Sequence, residues 1–553
     1  MSRETRDTRD APLAAGRPDA RTVRAYLAAN LVLVVVTAYF SVTYFHPDEH
    51  FQILEFVGHK LGTTATAELP WEYAARMRAW LQPAAYYAMA RGAQAVGVRD
   101  VFAIAFLLRL VSGLLAWVAL SFMVRTSLRW SDDGGTRLAQ LRASTLLGFL
   151  PYLAVRTSSE NVSCSLVSIG FCVVVDALRT ASPGAAARAR LSPRVALLAG
   201  VLFGLAFECR FHTAVLVAGL FVWLCFFRRI GAAGVLALSG GITLALLLGL
   251  LVDRWGYGAW CFPAYQYFRR NLIEHVASTQ FGTDPVYGYL YLLPANIFAP
   301  VVVLLMLAVA LTWIRRPRHP VTWVTLPYTL VNCALAHKEE RLFFPVLLIA
   351  TSSVTLGFSP ASRASALPAP LAAMARWADG VARRVWDRRR SLLARIAFAD
   401  SALGLVLLAF YPLGWCADVK FYEYVYHHVE PGAHLWIRAG WGFPEYPFYR
   451  RSPWRAQPIG DAGAVAIGHD EPSYFVTPLP YVAPDARSPG REPVLVYSEF
   501  PGWRYPGVRA AIGPALERLM RATSPGPDTP KAKWLTLYRL ESVGTPGGAG
   551  DAR

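Results

Sequence analysis

Long apolar runs, broken at intervals by arginine-rich linkers, constrain this chain more than any other feature. The first run, YLAANLVLVVVTAYFSVTY from Tyr26 to Tyr44, has the roughly 20 residues that a helix needs to cross a hydrocarbon core. It is too long for a typical signal-peptide core and no A-x-A-like site follows, so it reads as an anchor kept in the mature protein. Similar runs place helices near 26–44, 101–124, 143–157, 162–178, 195–209, 212–228, 233–252, 291–314, 320–336, 342–358 and 398–416, about 11 in all. With 54% apolar and 17% charged residues, the predicted fold class is an all-α polytopic membrane domain over 25–416. From about Ala417 the runs stop. HLWIRAGW, AVAIGHDEPSYFV, PVLVYSEF and WLTLYRL alternate like strands and Val508 to Arg521 reads as a helix, which predicts a small extracytoplasmic α/β domain over 417–553.

A net charge of +18 raises nucleic acid as a partner, and its placement argues against it. Arg125, Arg129, Arg137 and Arg142 share one linker, Arg179, Arg188, Arg190 and Arg194 another, Arg315, Arg316 and Arg318 a third, and eight arginines fall between Arg363 and Arg395. That is the positive-inside pattern, so these linkers and a disordered basic arm at 1–24 are expected in the cytoplasm. Parity then sends the loops 45–100 and 253–290 and the short junctions at 158–161, 210–211 and 337–341 to the opposite face. Segment 81–98 fits that scheme as an interfacial or re-entrant helix. The seven cysteines form no C-x-x-C pair, which gives neither a zinc site nor a disulfide framework. Fifty arginines against five lysines suit a GC-rich genome, and so an integral protein of a bacterial inner membrane; a eukaryotic chain would sit in the endoplasmic reticulum membrane.

The outer face collects ionisable residues. HPDE after the first span (His46, Pro47, Asp48, Glu49) puts two carboxylates at a helix exit, where an acidic interfacial turn is the plain alternative. HKEER, from His337 to Arg341, squeezes five polar or ionisable residues between apolar runs, and such groups at membrane depth are a functional hypothesis by default. FECRFHT brings Glu208, Arg210 and His212, with an internal Glu208–Arg210 pair as the structural alternative, and RTSSENVS adds Arg156 and Glu160. LPWEYAARMRAWLQP, with Trp71, Tyr73 and Trp80, would roof a cavity from the interface. The aromatic segment 253–294 carries Asn271, Glu274, His275, Gln280 and Asp284, and aromatic faces with amide and carboxylate tips suit sugars.

HPDE, LPWEYAARMRAWLQP, S-S-E-N, FECRFHTA, DRWGYGAWCF, NLIEHVASTQFGTDPVYGYLYLLP and HKEERLFFP occur in this order, and together they resemble glycosyltransferase family 22. This is the mannosyltransferase family of the GPI-anchor and N-glycan pathways, with the GT-C fold. The resemblance runs from about Tyr39 to Pro345 and is most specific at HKEERLFFP; the soluble tail is loosely similar to members that add the third GPI mannose. FECRFHT stands where the family has an F-R-P-T/Q-like stretch, and FGTDPVYGY replaces Y-G-T-H-P-W-H-W-Y, so Asp284 takes the place of a histidine.

The resemblance implies inverting transfer of mannose, or another hexose, from a polyprenyl-phosphate donor to a hydroxyl of a lipid-linked glycan at the outer face. An acceptor hydroxyl needs a base, and Asp48 is the candidate, with Glu49 beside it in the catalytic pair. A lipid phosphate leaves readily, so cations rather than an acid are required. Arg341 ranks first for that phosphate because its guanidinium is forked. Lys338, His337, Arg210, His212 and His46 complete the donor side with Glu339 and Glu340, while Trp71, Asn271, Glu274 and Asp284 form the acceptor side. No cofactor and no metal is expected, since the donor is not a nucleotide diphosphate and no D-x-D pair occurs in the outer loops. A transporter or lipid flippase, a non-enzymatic carbohydrate-binding scaffold, and a GT-C enzyme with another sugar and a protein acceptor are the competing readings.

Overall fold

The computed structural model describes residues 18–179, 190–227, 229–296, 299–359, short stretches between 373 and 403, and 418–430, 432–438, 446–450, 455–459, 472–477, 491–498 and 536–542. The helices expected at 508–521 and over most of 398–416, Cys416, and much of the 363–396 linker lie outside the described residues. The first 17 residues of the N-terminal arm do too. Within that linker 376–384 is helical.

The first helix spans Ala20–Phe40 rather than 26–44. It starts early because Asp19 caps it, its carboxylate accepting the Thr22 N–H at 2.7 Å. It stops early because Arg156 takes over the carbonyls beyond its end, donating to Ser41 O at 2.9 Å and to Thr43 O. Four described helices are long and apolar enough to cross a membrane alone: Ala20–Phe40, Val101–Trp130, Ser159–Arg179 and Ala232–Tyr257. On the last of these Leu236, Leu244, Leu247, Leu248 and Leu251 are 47–74% exposed, a continuous apolar face that belongs against lipid. The protein is an integral membrane protein with a mostly helical membrane domain.

Two apolar runs that read as single helices are broken, and two that read as separate helices meet at a sharp angle. The run at 143–157 becomes Gly134–Leu146 and Phe149–Ala154, parted where Leu147 turns extended. The run at 342–358 opens as a tight helical turn, Glu340–Val346, with Pro345 inside it, before Leu347–Thr351 and Ser353–Phe358; a proline there removes a donor and blocks a regular α-helix. Pro300–Arg315 and Pro320–Ala334 are bent by 118° at the turn between them.

Helices Pro193–Cys209 and Ala232–Tyr257 approach closely through glycines. A Cβ on Gly200 would stand 2.2 Å from Leu238 O, and one on Gly204 2.5 Å from the Ala245 Cβ. The G-V-L-F-G spacing is the small-residue seam that lets membrane helices touch backbone to backbone.

The bundle has two chemically distinct ends. Ser159–Arg179 spans 21 residues, about 30 Å at 1.5 Å per residue. Near its far end Arg129 pairs with Asp176 at 3.4 Å, Trp223 donates to Arg318 O at 2.9 Å, and Arg315 meets Asp379 at 2.5 Å. The arginine linkers thus gather opposite Glu160. Helix Leu81–Ala95 stays at the Glu160 end: the N–H of Trp80, just before it, donates to Asp253 at 2.7 Å, and Asp100, just after it, caps the next helix.

Strands β1 (His434–Arg438), β2 (Arg455–Ile459), β3 (Ser473–Thr477), β4 (Arg491–Ser498) and β5 (Thr536–Ser542) form one mixed sheet in the order β2-β1-β3-β5-β4. β1 is parallel to both neighbours, and β5 antiparallel to both of its own. β2, RAQPI, escapes a sequence reading because Pro458 interrupts any alternation. The domain shares a core with the membrane domain, where Tyr449 stacks on Phe102 at 4.4 Å and Val42, Ile53, Tyr446, Phe448 and Leu537 are buried together.

Candidate active site

Asp48 is presented by a short, heavily anchored turn. Pro47 opens the first turn, Pro47–Glu49, of a helical stretch, His46 caps it by accepting the Asp48 N–H at 3.2 Å, and the helix runs on through a π-helical turn, His50–Leu54, to Leu61. Glu49 is the anchor rather than a partner of the reacting groups. One of its oxygens accepts the Thr157 N–H at 2.8 Å and hydroxyl at 3.1 Å, the other accepts the Phe45 N–H at 3.2 Å, and the residue is 4% exposed. A buried carboxylate committed to three protein donors is held as a structural anchor, so its pairing with Asp48 as a catalytic residue is not what the geometry favours.

Asp48 faces the other way, into a knot of ions. Arg341 reaches Asp48 through Nη2 at 2.6 Å, Glu339 through Nε at 2.5 Å and Glu160 through Nη1 at 3.6 Å. Arg210 shares the same Glu160 oxygen at 3.1 Å. Arg78 stands 3.7 Å from Asp48 and 3.5 Å from Glu72, with its guanidinium 5.3 Å from the Tyr267 ring centre. His46 lies 3.8 Å from both Asp48 and Glu339, and His337 is 3.2 Å from Glu339. Three junctions far apart in sequence therefore converge, and a tight turn holding Arg341 brings the fork of one side chain to three carboxylates.

Electrostatics follow from that knot. Burial by itself would raise the Asp48 carboxyl, but the Arg341 and Arg78 guanidiniums outweigh it and hold it at about 2. Glu339 is pushed well below the usual carboxylate range in the same way, against burial, by Arg341 and then His337. Burial, then Arg341, lowers His46. His212 is pushed down to about 3 by burial and by Arg210. Two cations still carry buried donors without a hydrogen-bond partner, Arg78 Nε and Arg210 Nε; an anion entering here would satisfy them.

The remaining expected residues divide. Lys338 donates to Leu335 O and lies 5.9 Å from the Tyr289 ring centre, so its contacts are not with the carboxylates. Glu340 starts the turn that carries Arg341, and burial raises its carboxyl. Arg210 pairs with Glu160 and not with Glu208, because it is extended beyond its helix end, whereas Glu208 sits within the last helical turn against Gly249. On the acceptor side the loop residues engage local partners. Glu274 binds Arg269 at 2.8 Å and Arg270 at 3.0 Å, and Asn271 donates to Tyr267 O at 3.1 Å. Asp284 accepts the Tyr291 hydroxyl at 2.8 Å, and Trp71 is 43% exposed. Arg78 and Tyr267 join the site without a sequence signal of their own: Arg78 shares its loop with Arg76, Arg91 and Arg99, and only the fold brings it to Asp48.

The arrangement can hold an anion among arginines beside a carboxylate. Residues 26–392, more than half of the chain, match the sequence profile of the Alg9-like mannosyltransferase family. The chain is similar to GPI mannosyltransferase 3 of Gibberella zeae, 26% identical over 368 residues, covering 58% of this chain and 57% of the relative. It is also similar to GPI mannosyltransferase 3 of Schizosaccharomyces pombe, 26% identical over 344 residues, covering 55% and 62%. A third relative, the "Probable Dol-P-Man:Man(7)GlcNAc(2)-PP-Dol alpha-1,6-mannosyltransferase" of the same yeast, is 32% identical over 133 residues, 24% of each chain. The matched segments thus span less than two thirds of these relatives' lengths. Among solved structures, ArnT from Cupriavidus metallidurans bound to undecaprenyl phosphate covers 94% of this chain and 97% of its own with a TM-score of 0.48 and 13% identity. A likeness of that degree adds nothing to the assignment.

Proposed function

Because this chain belongs to the Alg9-like mannosyltransferase family, we propose that it transfers mannose from a polyprenyl-phosphate donor to a hydroxyl of a lipid-linked glycan, with inversion at the anomeric carbon. The observation that carries this reading is Asp48 2.6 Å from Arg341, in a knot of arginines and carboxylates at one end of a membrane bundle. The acceptor oxygen attacks the anomeric carbon, the bond from that carbon to the phosphate oxygen breaks, and the electron pair leaves with the phosphate. The acceptor proton goes to Asp48.

A carboxylate held at about 2 by arginine is a poor base. The donor phosphate remedies this when it draws Arg341 toward itself, because Asp48 then loses its strongest cationic neighbour and gains an anionic one. Arg341, Arg210 and Arg78 stabilise the charge that grows on the departing phosphate. Glu339 and Glu160 keep the Arg341 fork oriented. No metal is needed in this scheme, since no nucleotide diphosphate departs.

The reaction runs on the face opposite the arginine linkers, which is the non-cytosolic face by the positive-inside rule. Arginine usage over lysine favours a bacterial inner membrane. The test is incubation of purified protein with labelled polyprenyl-phosphate mannose and a panel of lipid-linked acceptors, followed by mass analysis. A product heavier than its acceptor by one hexose supports the reading. No transfer to any acceptor, with the donor intact, counts against it.

A further inference from the structure

Asp48 sits in the first turn of a helical stretch that continues without a break through His50–Leu54 to Leu61. A first turn frays because its leading N–H groups have no intrahelical partner, and Asp48 is pulled by two guanidiniums. Glu49 fixes one side of the turn to Thr157. The other side is fixed by the C-terminal domain through a buried relay.

His50, two residues after Asp48 and 1% exposed, places Nε2 2.5 Å from Glu55, which is fully buried. Glu55 also accepts the Thr64 hydroxyl at 2.6 Å and, through both oxygens, the backbone N–H of Phe448 at 3.3 and 3.1 Å. The imidazole is clasped by the same C-terminal turn, stacked on Tyr449 at 5.4 Å and edge-on to Tyr446 at 4.7 Å. The Tyr446 hydroxyl in turn bonds the Tyr44 hydroxyl at 2.7 Å. A carboxylate satisfied by three donor groups from three segments is a rigid joint, and it couples the 446–450 turn to the turn that carries Asp48.

We infer that the 446–450 turn of the C-terminal domain is a positioning element for Asp48, acting through the buried His50–Glu55 pair. This rests on Asp48 as the base of the proposed transfer. The C-terminal domain thereby contributes to the reaction without touching substrate: Glu55 and His50 are positioning residues, and loosening them lets the Asp48 carboxylate drift from the acceptor oxygen. A misplacement near 1 Å costs on the order of 100-fold in rate.

The test uses full-length protein with Glu55→Gln, which loses the anionic joint, and Tyr446→Phe, which deletes one hydroxyl. Turnover is followed with polyprenyl-phosphate mannose and a lipid-linked acceptor that the wild type uses, and donor-site binding with polyprenyl phosphate. The expected result for Glu55→Gln is a kcat about 10- to 100-fold lower with the affinity for polyprenyl phosphate and the acceptor KM within about twofold. In an Asp48→Glu background, where the base is already displaced, the added cost of Glu55→Gln should shrink, the coupling that shared action through one residue requires. A full kcat in folded protein, a loss of binding in parallel with kcat, or strict additivity in the double variant overturns the inference. Should Glu55→Gln not fold, Tyr446→Phe decides by the same kcat-against-binding split. If Asp48→Asn keeps turnover, the base assignment itself has failed; if Asp48→Asn is inactive and Glu55→Gln keeps its kcat, only the positioning role has.

Discussion

Replacing Arg341 by lysine keeps the charge and removes the fork, so it isolates what the geometry contributes. Arg341 is 7% exposed and spreads three nitrogens over Asp48, Glu339 and Glu160 at 2.6, 2.5 and 3.6 Å. A lysine presents one nitrogen and cannot span all three, and each charged hydrogen bond not remade weakens the fold by about 1.5–3 kcal/mol. In the transition state the loss is one preorganised donor to the departing phosphate, worth about 2.7–4 kcal/mol, or roughly 100- to 1000-fold in kcat. The assay is steady-state transfer from labelled polyprenyl-phosphate mannose, with polyprenyl phosphate binding and thermal unfolding in detergent measured on the same preparations. Arg341→Lys should unfold somewhat earlier, bind polyprenyl phosphate more weakly and turn over 100- to 1000-fold more slowly. A variant with unchanged rate and affinity would refute a phosphate contact at this residue, whatever its stability.

Other consequences are as direct. Asp48 is lowered by Arg341 and Arg78 against burial, with His46 and Glu339 as the other groups facing it. The acid limb of kcat/KM, which reports free enzyme, should therefore lie at lower pH than the acid limb of kcat, where bound phosphate has drawn Arg341 away; coincident limbs would argue against that exchange. For folding, a depressed carboxyl stabilises above its unfolded value near 3.9 and loses that contribution as pH falls toward 2, so the Asp48 contribution should be constant in thermal unfolding between pH 5 and 8. Gly241→Ala places a methyl 2.3 Å from Leu197 O, whereas Gly240→Ala meets nothing within 4 Å. The first should cost about 1–3 kcal/mol and lower the unfolding temperature in detergent, and the second should not. EDTA should leave turnover intact; inhibition reversed by adding a divalent metal would contradict the metal-free scheme.

Much of this organisation could be read in the sequence, for physical reasons that also explain the gaps. Apolar runs and arginine linkers report on lipid and on charge across it, so the helices and the separation of Asp48, Arg210 and Arg341 from the arginine linkers follow from one-dimensional pattern. Breaks within runs do not. The parting at Leu147 and the tight turn around Pro345 depend on local backbone geometry that hydropathy does not encode. Partner choice is equally hidden: Arg210 lies two residues from Glu208 yet pairs with Glu160, fifty positions away. Asn271 and Glu274 suit an acceptor by chemical type, and each meets a local partner. Glu49 and Asp48 are alike in type, but consecutive residues on a helical turn point about 100° apart, one toward Thr157 and one toward Arg341.

Turnover of Asp48→Asn, measured beside its polyprenyl phosphate binding, bears most directly on the central claim. A missing base predicts a rate about 100- to 10000-fold lower, with binding kept or strengthened because Arg341 is released from one of its carboxylates. Wild-type turnover in that variant, with binding intact, would show that another group takes the proton.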